Sequence, residues 1–297
     1  MIFKGSGVAL VTPFVNNEVN YEKLGELIEF QIRSKTDALT ILGTTGENIC
    51  LSDEEKKKVI AFSINKANKR IPVIIGTGSP NTEAVIELSK YSEYKGADGL
   101  LIVTPYYNKP SQKGLYEHYK KIANSVNLPI ILYNVPSRTS VGLTAETVIE
   151  LSKIDNIVGI KEASGDLLNI NKIINYTDKE FHVYSGNDDQ VLDILKLGSR
   201  GVISVTANLL PRVIHDIVTN YLNGKKKEAE EEFKKLRNIN QILFIETNPV
   251  PIKAAMNLCG MNVGTTRLPL VGMSEKNLRI LELCLKDLVE YGIEVKT

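Results

Sequence analysis

The chain has no tryptophan, and only three histidines and three cysteines in 297 residues. His118, His182 and His215 are scattered, with no HxxxH or HExxH spacing. Such spacing would put two imidazoles on one helix face around a metal, so a metal enzyme is disfavoured. Cys50, Cys259 and Cys284 are odd in number and far apart, and no CxxC occurs. That argues against a disulfide framework and a structural zinc site, and the expectation is a reduced cytoplasmic protein. An excess of one charge is also missing: 36 basic and 35 acidic residues leave a formal net charge of +1. No global basic field is present to draw nucleic acid or an anionic membrane. No apolar run approaches the ~20 residues of a membrane span. The opening MIFKGSGVALVTPF is interrupted by Gly5, Gly7 and Pro13 and does not read as a secretory signal.

What the chain has instead is eight short apolar runs, each followed by a turn signal. They are GVALVTP (7–13), ALTILG (38–43), PVIIGTG (72–78), GLLIVTP (99–105), PIILYNV (129–135), NIVGIKEA (156–163), HVYSGND (182–188) and GVISVTA (201–207). They are continuous rather than alternating, which is the pattern of parallel strands buried on both faces. Helix-like stretches lie between them, among them 21–35, 52–69, 81–95 and 111–126. Ser52 with Glu55 three residues on is a capping box. Unbroken alternation of eight strands with helices argues for an α/β fold, a (β/α)8 TIM barrel. A doubly wound sheet often shows GxGxxG after its first strand, whereas this chain reads TPFVNN there.

Residues 208–297 read as helical throughout. The expected organisation is a barrel over 1–224 carrying the active site, and a C-terminal helical extension over 225–297 packed on it. Lys226–Glu230 and Lys227–Glu231 stand at i, i+4 and read as pairs on a solvated helix face.

In such a barrel the chemistry sits at the carboxyl ends of the strands. The residues there are mostly hydroxylic, with one interior lysine and one arginine: Thr44, Thr45, Tyr106, Tyr107, Tyr133, Arg138, Lys161, Ser185 and Ser204 among them. Lys161 ends a buried strand. Partial desolvation favours the neutral amine, which can attack a carbonyl and form a Schiff base. The alternative from position alone is a lysine that snorkels outward or pairs with Glu162, although strand alternation points Glu162 to the other face. Tyr133 ends the neighbouring strand, where a phenol could move protons, or could be an aromatic core residue. Thr44 and Tyr107 could extend a relay. Arg138, just past strand five, suits bidentate capture of a carboxylate, though a surface-loop arginine is the commoner fate.

These strings together resemble one family. GTTGE (43–47), VTPYYNKPSQ (103–112), YNVPSRT (133–139), GIKEASGD (159–166), SGND (185–188), GVISVTAN (201–208) and NPVPIK (248–253) are similar to the pyruvate-dependent, Schiff-base class I aldolases. That family includes N-acetylneuraminate lyases and dihydrodipicolinate synthases, and the likeness to the latter branch runs over the whole chain. The resemblance implies condensation of pyruvate with L-aspartate 4-semialdehyde, an early step of diaminopimelate and lysine biosynthesis. It implies a Schiff base on Lys161, proton transfer by Tyr133, and a link through Thr44 to Tyr107 from the neighbouring subunit. Thr45 and the backbone around Gly186 and Ile203 would hold pyruvate, and Arg138 the carboxylate of the second substrate. It implies no metal or organic cofactor, no nucleic acid or membrane partner, and a homotetramer built as a dimer of tight dimers. Arg138 separates the chain from neuraminate lyases, which lack the SRT arginine. One departure concerns feedback by L-lysine at the dimer interface. Tyr106 is kept, but Lys56, near Asp53, would repel a cationic ligand. Pro80 and Ala84 replace an asparagine and a glutamate. The expectation is a weak response to lysine or none.

Overall fold

The computed structural model describes residues 2–296. Eight parallel strands close a barrel: β1 (Gly5–Ala9), β2 (Ala38–Ile41), β3 (Val73–Gly76), β4 (Gly99–Val103), β5 (Ile130–Asn134), β6 (Ile157–Glu162), β7 (His182–Ser185) and β8 (Gly201–Ser204). Each pairs with the next in sequence, and β8 closes on β1 with Gly7 opposite Ile203. The strands stop short of the apolar runs that announced them. The residues beyond each strand end leave the ladder to form the mouth.

Eight helices surround the barrel: α1 (Tyr21–Arg33), α2 (Asp53–Ala67), α3 (Thr82–Lys95), α4 (Gln112–Ala123), α5 (Ala145–Leu151), α6 (Leu167–Tyr176), α7 (Val191–Leu197) and α8 (Pro211–Leu222). Their local causes are visible. The Asn20 side chain accepts from the Lys23 N–H at the start of α1, and Leu24, Leu27, Ile28 and Gln31 then form one buried stripe. The Ser52–Glu55 capping box opens α2 in both directions. Pro211 at the first turn of α8 gives up an N–H that has no helical partner there anyway.

Two layers of core result. The outer one lies between strands and helices and holds Val8, Leu39, Ile75, Leu100 and Ile160, all but sealed from water. Burying such a side chain fully contributes about 1.5–3 kcal/mol relative to leaving it exposed. The inner one fills the barrel with Ala9, Ala38, Ile74, Leu101, Ile131 and Tyr184. Phe3 stacks on Tyr184 at 4.4 Å, and the Tyr184 hydroxyl donates to the Phe3 carbonyl at 2.6 Å, which plugs the amino-terminal end. No helix among the described residues is long and apolar enough to cross a membrane.

Two sequence expectations need correction, and the turn after the first strand gains detail. The TPFVNN turn is a small hairpin, Phe14–Val15 against Glu18–Val19, with Asn16 at φ 49° and Asn17 at φ 64°. Two left-handed residues in a two-residue loop make the hairpin turn that asparagine tolerates best. Residues 208–297 are not helical throughout. After α9 (Lys226–Lys235), α10 (Arg237–Ile242) and α11 (Val250–Leu258) the chain runs without helix from 259 to 274, before α12 (Glu275–Lys286). Gly260 at φ 76°, Gly264 at φ 75° and Asn262 at φ 54° break the helical path there. The i, i+4 pairs on α9 are also absent among the described residues: Glu230 meets Lys196 of α7 at 3.6 Å, and Lys226 lies over the Tyr221 ring. Tertiary neighbours outcompete weak exposed helix pairs.

Candidate active site

β5 and β6 pair with Tyr133 opposite Lys161, and Asn134 opposite Glu162. Alternation along each strand therefore sends Tyr133 and Lys161 into the barrel, and Asn134 and Glu162 away from it. The contacts agree. Lys161 Nζ lies 4.4 Å from the Tyr133 ring centroid. Lys161 is 5% exposed and Tyr133 6%. The Glu162 carboxylate instead accepts from Asn134 Nδ2 at 2.8 Å and the Ser164 hydroxyl at 2.7 Å. Burial pushes this carboxyl upward, and the Ser164 and Asn134 bonds oppose the shift. Glu162 is therefore no counter-ion for Lys161. Its bonds tie the end of β6 to the end of β5, and so fix the two inward residues side by side.

A cavity of about 230 Å³ opens at this mouth, bounded by Thr44, Tyr133, Arg138 and Tyr106 with Leu101 and Val103 as apolar wall. Lys161 is not on that wall; it lies against the ring of Tyr133, which is. Gly186 gives it room. A Cβ at Gly186 would come within 3.0 Å of Lys161 Cε and 2.8 Å of Ala163 Cβ, so only glycine leaves the lysine its path. Asp188, nearby in sequence, is wholly buried and ties β7 to β8. It accepts from the Ser204 hydroxyl at 2.5 Å and from the Val205 and Thr206 N–H groups at 2.8 and 3.1 Å. Burial pushes its carboxyl up, against those bonds and the charge of Lys161.

Thr44 and Thr45 stand after β2. Thr44 faces the cavity half-buried; Thr45 is buried, and its hydroxyl accepts from Asn248 Nδ2 at 3.0 Å. Arg138 sits in the helical turn Pro136–Thr139, exposed, with Nη2 donating to the Asn248 carbonyl at 3.0 Å. One face of its guanidinium is thus anchored while the rest stays free for an anion. Ile203 is fully buried inside the barrel near the end of β8. Tyr107 is the exception. It is 94% exposed at φ 74°, and does not line the cavity of its own chain.

Sequence reasoning missed Asn248, which holds Thr45 and Arg138 together. The signal was present in the string NPVPIK, but a backbone carbonyl that orients an arginine has no residue type to announce it. A second cavity of about 210 Å³ shares Tyr106 and holds Asp53, Lys56, Lys57, Ala84 and Glu87. Its charges are already matched: Lys56 meets Asp53 at 3.2 Å and Lys57 meets Glu87 at 3.7 Å.

Residues 2–288 match the model of the dihydrodipicolinate synthetase family. The 4-hydroxy-tetrahydrodipicolinate synthase of Thermoanaerobacter sp. (strain X514) is 55% identical over 293 residues, 98% of each chain. The synthase of the same name from Acetivibrio thermocellus is 53% identical over 292 residues, again 98% of each. The crystal structure of dihydrodipicolinate synthase from Aquifex aeolicus superposes with a TM-score of 0.96 at 44% identity, covering 99% of this chain and all of that one.

Proposed function

The chain belongs to the dihydrodipicolinate synthetase family, and on that premise we propose how its residues divide the work. It is a 4-hydroxy-tetrahydrodipicolinate synthase, a lyase-type enzyme that condenses pyruvate with L-aspartate 4-semialdehyde in diaminopimelate and lysine biosynthesis. The Lys161 amine attacks C2 of pyruvate, and the carbinolamine loses its hydroxyl as water to leave an iminium. A proton leaves the methyl carbon, and the resulting enamine attacks the aldehyde carbon. The aldehyde oxygen takes up a proton and becomes the 4-hydroxyl. The second substrate's own amine then adds to C2 and displaces Lys161, which closes the ring. One water leaves over the cycle and the lysine is regenerated.

Tyr133 gives and takes these protons, and its contact with Lys161 inside the mouth is the single observation that carries this reading. Thr44 links Tyr133 to Tyr107 of a neighbouring copy. Thr45 and the backbone at Gly186 and Ile203 hold pyruvate, and Arg138 takes the carboxylate of the semialdehyde. We read the assembly as a homotetramer of two tight dimers. The support for the dimer is Tyr107, a tyrosine ring held out in solvent in a left-handed turn at the rim of a site that lacks it. The cytoplasmic assignment draws on three free thiols. Residues 225–297 we take as an extension of the 1–224 barrel, because Asn248 completes the mouth. Feedback by L-lysine is weak or absent: the second cavity has no carboxylate at Ala84, and Glu87, one turn on, is paired with Lys57.

The test is pyruvate consumption with and without L-aspartate 4-semialdehyde, in wild type and Lys161→Ala. Consumption only when semialdehyde and Lys161 are both present is expected. Turnover by the alanine variant would refute the Schiff-base assignment.

A further inference from the structure

The GTTGE loop and the NPVPIK segment are joined by a buried ion pair that the reaction above does not use. Glu47 and Lys253 have side chains 1% and 2% exposed, with Nζ 2.6 Å from Oε1. Lys253 Nζ also donates to the Thr265 carbonyl at 3.1 Å and lies 4.1 Å from the Phe14 ring centroid. The other carboxylate oxygen, Oε2, accepts the Arg267 backbone N–H at 3.0 Å. The Arg267 guanidinium covers the same Phe14 ring at 4.4 Å and forks onto Glu55 at 2.6 and 2.9 Å. Both oxygens of Glu47 are therefore held by groups that are held in turn.

The backbone at Glu47 is left-handed, at φ 54°, and its N–H donates to the Thr44 carbonyl at 3.1 Å. A non-glycine residue stays in that region only where its surroundings enforce it. The tight turn of residues 43–47 places the two threonines. Thr12 grips it from one side by donating to the Gly46 carbonyl at 2.7 Å. The segment leading into α11 grips it through Asn248 on Thr45, and α11 itself through Lys253 on Glu47.

We propose that Glu47 and Lys253 are positioning residues for the condensation: by pinning the left-handed turn they set where the Thr44 hydroxyl and Thr45 stand at the barrel mouth. The inference rests on the reading of the site given above. Stability alone does not call for this pair, because a buried ion pair is commonly replaced by apolar residues of similar volume at little or no loss. The Lys253 ion contact at Oε1 and the Arg267 backbone N–H bond at Oε2 fix the carboxylate in position from two sides, which an apolar pair would not do.

That difference is the test. Wild type, Lys253→Met and the double variant Glu47→Leu/Lys253→Met are compared for Tm, kcat, KM for pyruvate, and borohydride trapping of pyruvate on Lys161. Lys253→Met alone strands a buried carboxylate and lowers both Tm and kcat. The double variant is expected to regain most of the Tm while kcat stays roughly 10- to 100-fold down, the scale of a misplacement near 1 Å. Trapping of pyruvate should persist. Recovery of kcat together with Tm overturns the proposal, since the pair is then only structural. Loss of trapping in the double variant overturns it as well, since the fault then lies at Lys161. If the double variant does not regain its Tm, Glu47→Gln decides the matter well below its own Tm: lowered kcat with trapping intact supports the role, and wild-type kcat overturns it. A wild type inactive on these substrates overturns the reaction itself and this proposal with it. A double variant equal to active wild type overturns only the pair's role.

Discussion

Two lysines are buried in this molecule against aromatic rings, and they are treated in opposite ways. Lys161 lies 4.4 Å from the ring of Tyr133, and Lys253 lies 4.1 Å from that of Phe14. Lys253 is tied to the Glu47 carboxylate and the Thr265 carbonyl; burial holds its ammonium below the usual lysine range, and Glu47 opposes that shift. Lys161 makes no ion pair or hydrogen bond from Nζ to any described residue, and its neighbour Glu162 is turned away onto Asn134 and Ser164. A lysine held by an anion is a brace. A lysine whose nitrogen nothing in the chain competes for can serve as a nucleophile. Burial is common to both; what separates them is where the nearest carboxylate was placed.

The comparison breaks most sharply by removing each lysine. Lys161→Ala should lower turnover by roughly 10³-fold or more while Tm stays near wild type, because the nucleophile is lost and no partner is stranded. Lys253→Met should show the reverse balance, with the larger effect on Tm. Steady-state kinetics and thermal melting of both variants check this, and a Lys161→Ala variant that melts like Lys253→Met would erase the distinction.

Next in size is Arg138, which sharpens the contrast between a tethered cation and an available one. Arg138→Ala should cut kcat/KM for the semialdehyde about 10- to 100-fold, the range of a hydrogen bond to a charged group, and leave KM for pyruvate nearly unchanged. An equal loss for both substrates would show that the arginine shapes the whole mouth instead.

A third buried base extends the comparison to a group with no anion at all. His118 bonds to the Thr82 hydroxyl through Nδ1 at 2.9 Å, and burial pulls its pKa from 6.5 to about 4. The folded state thus prefers neutral imidazole, while the unfolded chain takes up a proton below pH 6.5. Stability is full above pH 6.5 and falls as pH drops towards 4, by on the order of 1–3 kcal/mol. Chemical denaturation at pH 7 and pH 4.5 should show this drop reduced in His118→Asn, and an unchanged drop would assign it to other groups.

The smallest effect concerns a lysine arriving from outside. With Lys56 on Asp53 and Lys57 on Glu87, the second cavity offers a free amino acid no unpaired carboxylate among its described lining residues. Millimolar L-lysine should leave the rate nearly unchanged, and half-inhibition below a millimolar would contradict that reading.

Much of this was legible in the chain. Eight continuous Val/Ile/Leu runs alternating with helical stretches are the barrel, because strands covered on both faces must be apolar throughout. Lys161 and Tyr133 could be located because each stands near the end of such a run, where strand alternation sends one polar residue inward and its neighbour, Glu162 or Asn134, outward. The coil from 259 to 274 was missed, and so were the exchanged partners on α9. The α9 partners depend on neighbours remote in sequence, such as Lys196 of α7, whereas the coil's breakers, Gly260, Asn262 and Gly264, stand in the sequence and were passed over.

Sequence by itself determined the strands and their alternation with helices, because continuous apolar runs and amphipathic helical stretches are set by local polarity. Tertiary structure alone decided which lysine is a brace. Glu47 and Lys253 are separated by most of the chain, as are Thr45 and Asn248, and a hydrogen bond of 3 Å between such residues exists only after the barrel has closed.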